Sequence, residues 1–279
     1  MTVVRALETA VSLRAPEAEL AAFTYHDVTD DPSDSGFQRP AATRYKLSPI
    51  AFARQLDAIG AAGTPQLVTD VNLAIPGRHR LLTFDDGGRS MIGVADELAR
   101  RGWRGHFFLV TRLIGTRRFV DASDVRYLRS CGHVVGSHSH THPDIFRDQP
   151  RARMDEEWRV SSDILAQPLG ERCTVASVPG GDISPEVLDS GAAAGFRYLF
   201  TSEPWLTPRH LAAGPCWVLG RYCPTTATSL AQVAALAAFR GWRAALFVRR
   251  IKALARAGFP MLYRHYVRVR TREFGAEVD

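Results

Sequence analysis

Strands that alternate with helices of ~10–15 residues predict an α/β fold, a mainly parallel sheet with crossover helices that is either open or closed into a barrel. Three observations carry that prediction. Apolar strand-like runs recur, in RHRLLTF, GHFFLV and HVVGSHS. Amphipathic segments with helix-start residues separate them, such as SPIAFARQLDAIGAAG and SMIGVADELARR. The acidic stretch TFDDGG and the histidine-rich stretch GSHSHTHP both fall at strand ends, where functional residues collect in such folds.

Taken in order, AAFTY at 21–25 reads as a short buried strand, followed by the polar, turn-rich loop HDVTDDPSDSGFQRPAATRYK. Ser48-Pro49 starts a helix whose apolar residues keep helical spacing and whose end carries glycines. Leu81, Leu82 and Phe84 form a strand running into acidic and glycine-rich residues. Residues 90–101 make the next helix and GHFFLV the next strand. A helix near DASDVRYLRSCG, the strand HVVGSHS and a helix across RARMDEEWRVSSDILAQPLG continue the alternation. A short strand around CTVASVP, the helix SPEVLDSGAAAG and the strand FRYLFTS complete it. Near the end, about 242–257 reads as an amphipathic helix. Trp242, Leu246, Ile251 and Leu254 are on its apolar side, and Arg243, Arg249, Arg250 and Lys252 are largely elsewhere.

The 279 residues suit a single barrel of ~250, with a core at about 22–235 and a basic helical segment at about 236–279. The four cysteines, Cys131, Cys173, Cys216 and Cys223, are scattered without a C-x-x-C pair, so they read as reduced thiols rather than a disulfide framework. The first twenty residues hold no apolar core of signal-peptide length, and no stretch approaches the ~18–20 apolar residues of a membrane span, so a cytoplasmic protein is expected. The net charge of +6 is concentrated towards the C-terminus, and no aromatic-basic motif accompanies it, which argues against nucleic acid. The basic helix is expected to pack its apolar side on the barrel. The alternative is peripheral contact with an anionic membrane, which for a cytoplasmic protein means the inner membrane surface.

Two stretches carry chemistry. In Asp85-Asp86 one carboxylate can hold a metal while the other serves as general base to a water, although on Asp-Asp-Gly alone a turn or helix cap is the preferred reading. His138, His140 and His142 stand at every second position. A strand would line up all three, whereas an interval of four joins only His138 and His142 across a helical turn or tight bend. Two imidazoles and one carboxylate form the facial set of hydrolytic metal sites, with a position left open.

TFDDG at 83–87 together with HSHTHP at 138–143 resembles the two leading motifs of polysaccharide deacetylases, carbohydrate esterase family 4 with the NodB homology domain. FTYHDV, YKLSPIAFARQLDAI, HFFLVTRLIG and YLRSCGHVVGSHSHTH are similar to the same family, so the resemblance runs from about residue 22 to 202. It implies a distorted, incomplete (β/α) barrel of about seven parallel strands. It also implies Asp85 as catalytic base, with Asp86, His138 and His142 as ligands of a divalent metal and His140 pointing elsewhere. Zinc is the first choice of metal; cobalt, nickel or another transition metal are alternatives.

The chain also departs from the family. SVPGG at 177–181 stands where many members carry R-x-P-Y-G, with Ser177 in the arginine's place. Pro179, Gly180 and Gly181 wall the groove on one reading and form a plain turn on the other. The family's late leucine-x-histidine motif has no clear equivalent, which leaves the general acid unassigned. His210 and Arg221 are candidates to serve near the site, and His26 approaches from the first strand. His26 and Arg221 join the three SVPGG residues as the candidate substrate-binding set, against the bland reading that each is structural or exposed. The expected activity is metal-dependent removal of an N-acetyl or related N-acyl group from a sugar-containing substrate, with a nucleotide-linked or lipid-linked glycan preferred. The competing readings are an amide hydrolase acting on a small biosynthetic intermediate and a catalytically silent member that binds a glycan or a partner.

Overall fold

A computed structural model describes residues 18–258 apart from 213, together with 261 and 269. The reading of a leaderless N-terminus and most of the basic segment beyond 258 therefore lie outside the described residues. Eight strands form one sheet: β1 (Ala18–Tyr25), β2 (Gly77–Phe84), β3 (His106–Leu109), β4 (Val134–Ser137), β5 (Val175–Ser177), β6 (Tyr198–Phe200), β7 (Arg209–His210) and β8 (Trp217–Leu219). Their order is β1-β2-β3-β4-β5-β6-β8-β7. Every pair is parallel except β7 with β8. This is the expected distorted barrel with seven parallel strands; the two-residue β7 is an antiparallel addition that the sequence pattern did not mark.

The sheet curls until its ends meet. Tyr222, just beyond β8, forms a parallel bridge with Phe23 of β1. Its amide donates to Ala22 O at 2.9 Å, and Thr24 N donates to Tyr222 O at 2.9 Å. Lower on β1, Leu20 N donates to Leu206 O at 2.7 Å, so the seam is held by isolated backbone contacts rather than by a continuous strand pairing.

The helices are α1 (Pro49–Gly60), α2 (Met91–Arg100), α3 (Ala122–Ser130), α4 (Arg151–Leu169), α5 (Pro185–Ala193), α6 (Leu230–Ala237) and α7 (Trp242–Gly258). Their starts follow local chemistry. Ser48 accepts from Ala51 N, with Pro49 at the first helical position. Asp121 and Asp124 form a reciprocal capping box on α3. Strand alternation divides the core in two. Phe23, Tyr25, Leu82, Phe84, Phe107 and Leu109 face the helices, while Ala22, Leu81, Phe108, Val175, Phe200 and Leu219 fill the barrel interior. On β2 the inward series is Leu81, Thr83 and then Asp85, which puts that aspartate at the barrel mouth.

The last helix corrects one expectation. Trp242 and Leu246 pack against the core, but Ile251 and Leu254 do not: they are 51% and 68% exposed. No helix among the described residues is long and apolar enough to cross a membrane.

Candidate active site

Two strand-end loops build the site. Beyond Phe84, a continuing strand would turn Asp86 outward toward the helices. Its backbone instead takes φ 79°, which re-aims the carboxylate over the mouth beside Asp85. A Cβ at Gly88 would collide with the Asp27 carboxylate, so glycine lets the two loops close together. Asp27 accepts from Ser35 Oγ at 2.5 Å and Ser90 Oγ at 3.0 Å, pinning the β1–α1 loop to the Asp-Asp-Gly-Gly turn.

The histidine stretch is neither strand nor helix. β4 ends at Ser137, and positive φ at Ser139 (65°) and His142 (54°) folds the chain into a tight loop. Such residues cost ~1–3 kcal/mol each and persist only where surrounding bonds over-determine them. Those bonds are present. Buried Glu157 of α4 accepts from His140 N at 2.8 Å, Thr141 N at 2.7 Å and Thr141 Oγ1 at 2.6 Å. Ser139 N donates to Ser137 Oγ, and His142 N donates to Ser139 Oγ. His140 points away, its Nδ1 lying 3.0 Å from Thr111 Oγ1.

The loops bring Asp86, His138 and His142 together, with one ligand atom from each within 4.8 Å of the others. His138 Nε2 is 3.4 Å from Asp86 Oδ1, and His142 Nε2 is 3.7 Å from the same oxygen. His138 Nδ1 lies 2.9 Å from Ser177 O. A carbonyl only accepts, so Nδ1 carries the proton and Nε2 offers its lone pair to the cluster. Burial and the nearby Arg39 guanidinium push His142 down to about 3, keeping that ring neutral. For Asp86, burial works against the charge, but the nearby His26 outweighs it and holds the carboxyl well below its usual range. Two neutral imidazoles and one ionised carboxylate, all buried and converging, fit a divalent transition metal.

Arg221 is where the structure adds most. It is fully buried, and all five of its N–H groups have acceptors. Nη1 donates to Asp85 Oδ1 at 2.8 Å and Thr83 Oγ1 at 3.0 Å. Nη2 donates to Asp85 Oδ2 at 2.8 Å and Ser177 Oγ at 2.7 Å, and Nε donates to Thr201 O at 2.9 Å. Ser177 Oγ in turn donates to Asp85 Oδ2 at 3.1 Å. Burial alone would raise the Asp85 pKa; the paired guanidinium outweighs it and lowers the carboxyl below its ordinary value. Arg221 reaches the floor of the cleft with its donors already committed to these partners. It holds Asp85 from the end of β8, across the small Ser177, which stands where the resemblance led us to expect an arginine. One signal could have found it: in WVLGR the arginine follows an apolar strand, as Asp85 and His138 do.

A cleft of about 990 Å³ opens over this mouth and runs to α6 and α7. His26 lines it, stacked 4.8 Å from Tyr45, with Nδ1 3.9 Å from Cys223 Sγ. Burial pulls the His26 pKa down, but Cys223 and the two aspartates outweigh it and bring it up to about 10. Of the SVPGG residues only Gly180 lines the cleft; Pro179 and Gly181 are buried behind it. His210 packs on Trp217 at 4.8 Å and is not part of the lining. Asp27 and Glu157, which clamp the two loops, were not singled out from sequence.

A sequence model of the family described as polysaccharide deacetylase matches residues 74–199. The peptidoglycan-N-acetylglucosamine deacetylase PgdA of Listeria monocytogenes is 25% identical over 176 residues, 61% of this chain and 35% of that protein. The chain therefore spans about a third of the length of that curated relative. IcaB from Ammonifex degensii superposes with a TM-score of 0.61 at 24% identity, over 79% of this chain and 97% of that one. The Streptococcus pyogenes deacetylase PplD superposes with a TM-score of 0.64 at 18% identity, over 78% and 97%. A Bacillus cereus polysaccharide deacetylase gives 0.65 at 16% identity, over 78% and 69%. Together with the paired aspartates and histidines at the strand ends, these likenesses define the fold as an incomplete (β/α) barrel. Within it, residues 74–199, which carry Asp85, Asp86, His138 and His142, match the polysaccharide deacetylase family.

Proposed function

We propose that the chain is a metal-dependent hydrolase that removes an N-acetyl or related N-acyl group from a sugar-containing substrate. One observation carries this reading: Asp85, gripped at both oxygens by Arg221, stands beside the Asp86–His138–His142 cluster, with its Oδ2 3.9 Å from His138 Nε2. A divalent ion held by Asp86, His138 and His142, zinc by the preference of such a donor set, supplies Lewis acidity to a water and to the acyl oxygen. Asp85 takes the proton of the attacking water. Its lowered pKa makes the protonated form a ready donor, so the same carboxyl returns the proton to the departing amine, which answers for the missing late histidine. Positive charge on His26 stabilises the anionic character that builds up in the cleft. The nucleotide-linked or lipid-linked form of the glycan and the cytoplasmic placement expected from the sequence belong to the same proposal.

The test is acetate release from a panel of N-acetylated sugars, nucleotide sugars and short glycans, with metal-stripped protein compared with protein given zinc or cobalt. Release should require metal and fall ~10²–10⁴-fold in Asp85→Asn, with metal binding retained. Silence across the panel from protein that binds metal would overturn the reading.

A further inference from the structure

The far wall of the cleft is α7, and one side of that helix is uncovered. Its first turns are anchored: Trp242 is buried with Nε1 donating to Leu236 O at 2.9 Å, and Arg249 is held by Asp182 at 2.6 Å and Glu203 at 2.9 Å. Phe247, Val248, Ile251 and Leu254 are instead 63%, 50%, 51% and 68% exposed. At helical spacing they fall within an arc of ~120°. Arg243 and Arg250, both exposed, follow one edge of that arc. At the other edge, Val248 also lines the cleft with Ala244 and Ala245, so the apolar stripe is continuous with the cleft mouth.

The charge around this face is one-sided. Between residues 204 and 272 the chain has twelve arginines and lysines and no aspartate or glutamate. Along α2 and α4, by contrast, surface arginines are paired with carboxylates. Arg240, Arg243 and Arg250 have no carboxylate partner among the described residues.

We infer that α7 seats on an anionic bilayer surface, apolar stripe down, with the cleft opening at the interface. A stripe of large apolar residues edged by unpaired cations is the pattern of a helix lying in the headgroup region. No helix among the described residues is long and apolar enough to span a bilayer, and the contact inferred is a peripheral one. A second copy placed face to face would bring the same arginines together, and residues 259–272 add four more arginines and no acid, so neither complements the charge. Docking does not depend on what the metal site hydrolyses.

The experiment is sedimentation of the full chain with vesicles of equal phosphatidylglycerol and phosphatidylcholine, against pure phosphatidylcholine. Two variants accompany it, Ile251→Glu with Leu254→Glu, and Arg243→Gln with Arg250→Gln. Wild type should sediment with the anionic vesicles only. The glutamate pair should lose at least ~10-fold in partitioning. The glutamine pair should lose ~10–30-fold and show a shallower salt dependence. All changed positions are exposed, so thermal melts should match wild type. No sedimentation with anionic vesicles, undiminished sedimentation of both variants, or a solution dimer that the glutamate pair dissociates would each overturn the inference.

Discussion

The barrel mouth and the C-terminal helix hold similar kinds of side chain under opposite conditions. At the mouth the buried arginine and glutamate are fully matched: Arg221 spends five donors on four residues, and Glu157 is filled by two amides, a hydroxyl and Arg153 at 2.8 Å. On α7 the cations beside Phe247, Ile251 and Leu254 have no carboxylate partner among the described residues. The first arrangement fixes atoms to a fraction of an ångström, as positioning of a base and ligands requires. The second leaves charge and apolar area available to something outside the fold.

Substitutions can sharpen that contrast, beginning with Arg221→Met. Removing one partner of a buried pair strands Asp85, and unfolding stability should fall by ~3–5 kcal/mol, read by urea titration. The pH dependence should change sign as well. In wild type the Asp85 carboxyl lies below its unfolded value of ~3.9, so its stabilisation is present above that pH and is lost as pH falls through the folded pKa. In the variant an unpaired buried carboxyl prefers its proton, so stability is gained as pH falls through its raised pKa towards ~4, and the gap narrows over that range and again below ~4 as wild type loses its share. A gap that stays constant with pH would show that Asp85 is not the group being stabilised.

Glu157→Gln keeps the shape but replaces one accepting oxygen with a donor facing loop amides. A loss of ~1–3 kcal/mol is expected, together with weaker metal binding by calorimetry, because the loop carrying His138 and His142 loosens. Unchanged metal affinity would separate loop clamping from the ligands. Ile251→Ser should be the smallest effect, within ~0.5 kcal/mol by thermal melt, because the side chain covers nothing in the fold. A larger loss would mean that α7 packs on more of the protein than the described residues show.

Much of the mouth was legible in the chain because its parts are local. Asp85 and Asp86 are adjacent, His138 and His142 are four apart, and both stretches end apolar strands whose alternation is plain. Six of the seven parallel strands followed from the same rhythm; β8 was not marked by it, and the number seven came from the family resemblance. Arg221 was hard to read because its partners Asp85 and Ser177 are distant in sequence and meet only when the barrel curls. Glu157 sits in DEEWR, where one of three acids turns inward, and nothing local says which. The positive φ angles at Asp86, Ser139 and His142 left no signal either, since the clamps that impose them come from other elements. On α7 the amphipathic pattern was visible, but which apolar residues find a neighbour depends on where the helix leaves the barrel.

The seam between Phe23 and Tyr222 lies one residue from Arg221, so one stretch of chain both joins the barrel and supplies the counter-charge of Asp85. During synthesis the aspartates and histidines emerge first, and a nascent chain stopped before residue 221 holds the complete ligand set around an unneutralised carboxylate. Closing the barrel and neutralising Asp85 are therefore one event in folding, because the adjacent Tyr222 and Arg221 accomplish both.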